Sequence, residues 1–221
     1  MIQDQSKRFY MYLNKDSIQQ LEKVDRLNLI NSITGISPAN LIGTISNDSI
    51  ENLAIFSSVV HLGSNPPLMG FVLRPTKENT RDTYENIIAT NKFTINHINS
   101  DMIERSHYTS VKFDKNESEF QKCRLTAEYL NNFLAPYVKD SYVKIGLNLE
   151  DIQLIKSNGC RLIIGRIDRL YVPDSAIHKN GNIQLDLSNS IGVGGLNTYY
   201  SLDKATQYSY ARVDDPFFKK A

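Results

Sequence analysis

The stretch that most restricts the fold runs from residue 142 to 172: "YVKIGLNLEDIQLI", then "KSNG", then "CRLIIGRIDRLYV". Two long apolar segments joined by a turn carrying Asn158 and Gly159 predict an antiparallel hairpin, because Asn and Gly accept the backbone twist of a tight reversal. Shorter strands precede it. "NLIGTIS" (40 to 46) and "ENLAIFSSVV" (51 to 60) flank the turn formers "NDS", and "LMGFVL" (68 to 73) reads as a third strand. "KFTINHI" (92 to 98) is a fourth, alternating through Phe93, Ile95 and His97. The tail "GNIQLDLSNSIGVGGLNTYYSLDK" reads as extended and glycine-rich.

Helical signals are fewer. Residues 17 to 31 place Ile18, Leu21, Leu27 and Ile30 at roughly helical spacing, with Ser17 as the expected cap. Asp82 and Glu85 have capping-box spacing, and Thr83 opens a short helix running to Thr90. Another helix is expected around 101 to 109. Strands outnumber helices about two to one, which predicts a mainly β protein: a closed or Greek-key antiparallel sheet with a few peripheral α-helices. With no repeat and no low-complexity linker, residues 1–221 are expected to form a single domain.

Lys and Arg number 25 against 24 Asp and Glu, so no global field favours nucleic acid or an acidic membrane surface, and any anion must be held locally. The start has no signal-peptide core and no run approaches a membrane span, so a cytoplasmic protein is expected. Cys123 and Cys160 lack metal-ligand clustering and are expected as unpaired thiols. None of the four histidines has the partners of a metal helix; His61 follows the serine strand and is read as a loop residue that could line the same pocket. "GVGG" (192 to 195) lacks the spacing and context of a dinucleotide fingerprint.

Two places could carry chemistry. One is the helix start at Asp82 and Thr83, preceded by Arg74, Lys77, Thr80 and Arg81. Free backbone N–H groups and a partial positive charge suit a phosphate there, and arginine can add bidentate hydrogen bonds. A capped surface helix after a solvated charged segment fits the same residues. The other is the serine pair Ser57 and Ser58 inside an otherwise apolar strand. A pleat sends neighbouring side chains to opposite faces, so each hydroxyl needs its own partner. The pair either satisfies backbone groups at a bulge or offers a hydrogen-bonding edge to a flat, heteroatom-rich ring.

Taken in order, these segments resemble the flavin-reductase-like, FMN-binding split-barrel family. "LIGTIS" leads into Asn52-Leu53-Ala54, similar to the family's Asn-x-Ala; "FSSVV" and "SNPPLMGF" resemble its flavin-facing strand and continuation; "RDTYENIIATNKFTIN" is similar to its Lys/Arg-Asp-Thr-x-x-Asn-Ile…Phe-x-x-Asn signature. The match is densest over residues 26 to 98 and continues more loosely to "GGLNTYYS". "GISPAN" departs from it where many members carry an arginine beside the proline. The resemblance implies a split β-barrel binding FMN, with FAD as the alternative, that takes hydride from NAD(P)H and reduces flavin or another small acceptor. A flavoredoxin-like electron carrier without nicotinamide activity is the alternative. It implies a homodimer with each flavin near the subunit boundary, a partner's Tyr199 or Tyr200 near the ring, and no nucleic acid or membrane partner. The implied cofactor-binding residues are Asn52, Phe56, Ser57, Ser58 and Val59 along the ring, and Arg74, Thr80, Arg81, Asp82 and Thr83 at the phosphate. No catalytic acid–base dyad and no metal are implied, since the cofactor carries the chemistry.

Overall fold

The computed structural model describes residues 11–76, 81–215 and 217. In chain order the strands are β1 (Ile36–Pro38), β2 (Asn40–Ile45), β3 (Glu51–Phe56), β4 (Val60–Ser64), β5 (Pro67–Leu73), β6 (Lys92–His97), β7 (Ala127–Glu128), β8 (Tyr137–Val138), β9 (Lys144–Ile155), β10 (Cys160–Tyr171), β11 (Ile191–Gly194) and β12 (Thr198–Ser201). The α-helices are α1 (Lys15–Gln20), α2 (Lys23–Ser32), α3 (Asp82–Thr90), α4 (Ile103–Tyr108) and α5 (Glu119–Lys122). Seven strands form one antiparallel sheet in the order β3-β2-β6-β9-β10-β5-β4. A three-stranded sheet (β1-β11-β12) and the β7-β8 pair lie outside it. This is the expected mainly β split barrel of Greek-key type with peripheral helices.

The strand order forces the split. β3 and β4 lie at opposite edges of the seven-stranded sheet, yet only residues 57–59 separate them in the chain. A connection that short reaches roughly 10–14 Å, so the sheet must roll until its edges approach each other. The roll encloses Ile42, Phe71, Phe93, Ile95, Ile145, Leu147 and Ile163. Phe56 meets Phe71 edge-on at 4.8 Å between ring centroids, and Phe71 meets Phe93 at 5.6 Å. On the opposite face of the pleat, Leu41 and Leu53 pack with Ile98, Met102, Phe120 and Leu125. Helix α3 lies across β2 and β3 and buries Ile87 fully in the inner cluster.

Several expectations need correction. The segment 51 to 60 is not one strand: β3 ends at Phe56, and the chain crosses to the other sheet edge before β4 begins at Val60. The helix expected over 17 to 31 is two helices, broken where Leu21 and Glu22 adopt extended ψ values of 142° and 145°. Its cap is Asn14, whose side chain accepts from the Ser17 N–H at 2.8 Å. The β9–β10 hairpin forms as expected, with Gly159 at φ +74° donating to the Ile155 carbonyl at 2.9 Å. Cys123 and Cys160 are free thiols. Among the described residues no helix is long and apolar enough to cross a membrane.

Candidate functional site

The first turn of α3 is anchored from below and open above. Asn52, on β3, donates through Nδ2 to Thr44 Oγ1 at 3.0 Å and to Thr83 Oγ1 at 3.1 Å. Asn86 adds a bond of 3.1 Å to the same Thr44 oxygen. All four side chains are buried, so the network adds polar anchors for the helix on β2 and β3 to the apolar packing of Ile87. Asn52 and Thr83 therefore hold each other.

The capping box expected from Asp82 and Glu85 does not form. Arg81 occupies the N-cap position, no side chain among the described residues caps the helix, and Asp82 is already its first residue. Glu85 instead pairs with Lys115 at 2.9 Å. Among the described residues the first-turn N–H groups thus have no side-chain acceptor, which leaves donors and the positive end of the helix dipole available beside the Asp82 carboxylate. Beside it, Arg81 buries its Nε without a hydrogen-bond partner among the described residues. An unpaired buried guanidinium nitrogen is costly and marks a place where an acceptor fits.

Sequence reasoning missed a third cation. Arg161 opens β10, opposite Leu73 at the end of β5. Its Nη1 donates to Thr76 Oγ1 at 2.8 Å and its guanidinium lies 5.0 Å from the centre of the Tyr84 ring. Arg74 is exposed, just beyond β5. Lys77 and Thr80 lie outside the described residues. Among the described residues none of Arg74, Arg81 and Arg161 forms an ion pair.

At the far end of β3 the two serines have different neighbours. The Ser58 hydroxyl accepts from the Val72 N–H and donates to the Val72 carbonyl, each at 3.1 Å, so it replaces a rung that would continue the β4–β5 ladder. Ser57, half-buried, makes no side-chain hydrogen bond among the described residues. Val59 is buried in the inner cluster, and Phe56 packs there on Phe71. From Asn52 to Ser57 the strand spans about 17 Å. The outer edge of β3 is partly covered: Glu119 of α5 accepts from the Leu53 N–H at 3.0 Å, and burial pushes its carboxyl above the usual range. Nearby, His61 is exposed on β4 with Ser64 at 3.2 Å. Tyr199 is bonded to His107 at 3.0 Å, while Tyr200 is exposed. A groove of about 490 Å³ between residues 182–186 and 202–207 contains none of the expected site residues.

A model of the flavin reductase like domain matches residues 36–184, well over half of the chain. The chain belongs to the flavin reductase-like family. A crystal structure from Shewanella frigidimarina NCIMB 400, assigned as a flavin reductase with a split barrel domain, is 43% identical; the match covers 91% of this chain and 100% of that one, with a TM-score of 0.87. Nitrilotriacetate monooxygenase component B from Bacillus cereus superposes with a TM-score of 0.78 at 20% identity, over 91% of this chain and 100% of that one. The flavoredoxin of Desulfovibrio vulgaris (Miyazaki F) gives 0.69 at 22% identity, over 80% and 92%. At those identities the last two speak for the fold alone.

Proposed function

We propose that this flavin reductase-like protein binds FMN and transfers hydride from NAD(P)H to flavin or another small acceptor. The observation that carries the reading is the start of α3, which no described side chain caps, beside the buried Nε of Arg81, which has no partner among the described residues. A terminal phosphate supplies acceptors for the Arg81 guanidinium and for first-turn N–H groups that no described side chain takes. The residues fit the group. Arg81, Asp82 and Thr83, with Arg74 and Thr80 as helpers, would hold the phosphate. Phe56, Ser57, Ser58 and Val59 would border the ring by side chain or backbone.

When bound, the flavin supplies the two-electron chemistry, accepting hydride directly from a nicotinamide. The protein's share is to bind and orient. The Asn52–Thr44–Asn86–Thr83 network holds the helix start at a fixed place relative to β3, so that phosphate and ring are gripped in register. Donors at residues 57–59 are suited to the negative charge that grows on a reduced ring. The reading includes a homodimer with the flavin near the boundary. The apolar side chains that α2 leaves exposed, Val24 at 67%, Leu27 at 43% and Ile30 at 42%, support it.

The test is an absorbance spectrum of the purified protein, the released cofactor identified by mass, followed by stopped-flow mixing with NADH and NADPH. Bleaching of the flavin band is expected with at least one donor. A colourless protein that neither binds nor is stabilised by added FMN refutes the reading. A flavin-loaded protein that neither donor reduces refutes the nicotinamide part of the reading and favours an electron carrier.

A further inference from the structure

Arg161 is placed to do something that neither the helix start nor the sequence motif accounts for. It touches both arms of the connection between β5 and α3: Thr76 on the β5 side through a 2.8 Å hydrogen bond, and Tyr84 on the helix side through a stacked guanidinium. Side chains on a helix lean back toward its N-terminus, so Tyr84 covers the turn that begins at Arg81 rather than the turn beyond it. The cation stacked on that ring is therefore held close to the electropositive end of α3. Among the described residues it has no carboxylate partner there, and Glu85 is committed to Lys115.

A half-buried guanidinium fixed by a hydroxyl and an aromatic face, with no carboxylate partner among the described residues and a helix N-terminus nearby, concentrates positive charge. Such an arrangement is stabilised by an anion. If Arg161 served only to staple Thr76 to Tyr84, an uncharged side chain would do so without the repulsion. We infer that Arg161 is a second phosphate-binding cation of this site, reaching the terminal phosphate of FMN from the β10 side while Arg81 reaches it from the helix side. The inference rests on the proposed flavin function and adds a specificity-determining residue to it. Two guanidinium groups and a helix end suit a doubly charged monoester, so the site selects FMN against riboflavin.

The test uses the full-length protein with Arg161→Ala and Arg161→Lys, titrated with FMN and with riboflavin. Arg161→Ala is expected to raise the FMN dissociation constant roughly 10- to 100-fold and to change the riboflavin value less than about 2-fold. Arg161→Lys keeps the charge but loses the planar face on Tyr84, and is expected to fall between. Equal changes for the two ligands, or none, overturn the inference and leave Arg161 a staple. Inorganic phosphate provides a separate readout through the melting temperature of the apo protein. Stabilisation by phosphate in the wild type that Arg161→Ala abolishes supports the anion site even if FMN does not bind, in which case only the flavin reading falls. No phosphate effect together with no FMN binding removes both.

Discussion

Substituting Ser58 separates a structural hydroxyl from a ligand-facing one. Its oxygen makes two hydrogen bonds to the backbone of Val72 on β5, both of 3.1 Å, at the seam where the chain crosses from β3 to β4 and extends the β4–β5 register by two residues. Each such bond contributes about 0.5–1.5 kcal/mol net, and removing one partner leaves the Val72 groups to find water in a half-buried position. Ser58→Ala should therefore cost about 2 kcal/mol, which for a chain of this size lowers the melting temperature by roughly 4–8 °C. Ser57 has no partner to lose, so Ser57→Ala should stay within about 0.5 kcal/mol of wild type. The assay is thermal and urea unfolding of both apo variants, followed by FMN titration well below the transition. Ligand binding should show the reverse order, with Ser57→Ala weakening FMN and Ser58→Ala leaving it nearly unchanged. If Ser58→Ala melts with the wild type while Ser57→Ala melts early, the seam is held by something other than this hydroxyl.

Three further substitutions probe the rest of the site and the barrel. Arg81→Ala should weaken FMN binding by roughly 1.5–3 kcal/mol and riboflavin binding far less, measured by fluorescence titration; equal losses would place Arg81 away from the phosphate. Asn52→Ala removes two buried hydrogen bonds and strands Thr83, so the apo protein should lose roughly 2–3 kcal/mol in urea unfolding, and unchanged stability would count against the network. His97 is bonded to Ser190 at 3.0 Å, and burial lowers its pKa from 6.5 to about 4. It is neutral when folded and takes a proton on unfolding, so its contribution is complete above pH 6.5 and is lost as pH falls from 6.5 toward 4. That loss approaches roughly 3 kcal/mol, about 2 of it by pH 5. Urea midpoints at pH 7.5 and 5 should lie closer together for His97→Gln than for wild type, and an equal separation in the two proteins would assign the titration elsewhere.

The order of strands and the start of α3 were legible because they rest on local chemistry: period-two alternation, turn formers and a signature around Arg81 to Asn86. What was not legible depended on long-range register. Arg161 carries no motif and lies 80 positions from Arg81. It reaches the site because β10 pairs with β5 so that Arg161 stands opposite Leu73, a register that composition does not fix. The capping box failed for a similar reason. Glu85 has the right spacing to fold back on the helix, but Lys115 offers a charged partner from a distant segment. The serine pair interrupted an apolar run, and its pleat argument led to two different environments; only the fold shows that the run stops at Phe56 and that Ser58 bridges to β5.

The split itself explains why the serines belong where they are. A seven-stranded sheet whose edge strands β3 and β4 do not pair with each other leaves backbone donors and acceptors along its rim, and unpaired edges invite both aggregation and ligands. The chain covers some of these groups with its own polar atoms: Glu119 takes the Leu53 N–H on β3, and the Ser58 hydroxyl takes both polar groups of Val72 on β5, just beyond the end of β4. Ser57 lies between these two closures, and among the described residues its hydroxyl has no hydrogen-bond partner. A closed barrel would consume such groups in its ladder, and an open sheet would give them to water. The seam keeps them half-buried, where a planar ring with nitrogen and oxygen along its rim gains most from meeting them. On the proposed reading, the serines mark where the chain stops sealing its own edge and leaves the remainder to the ligand.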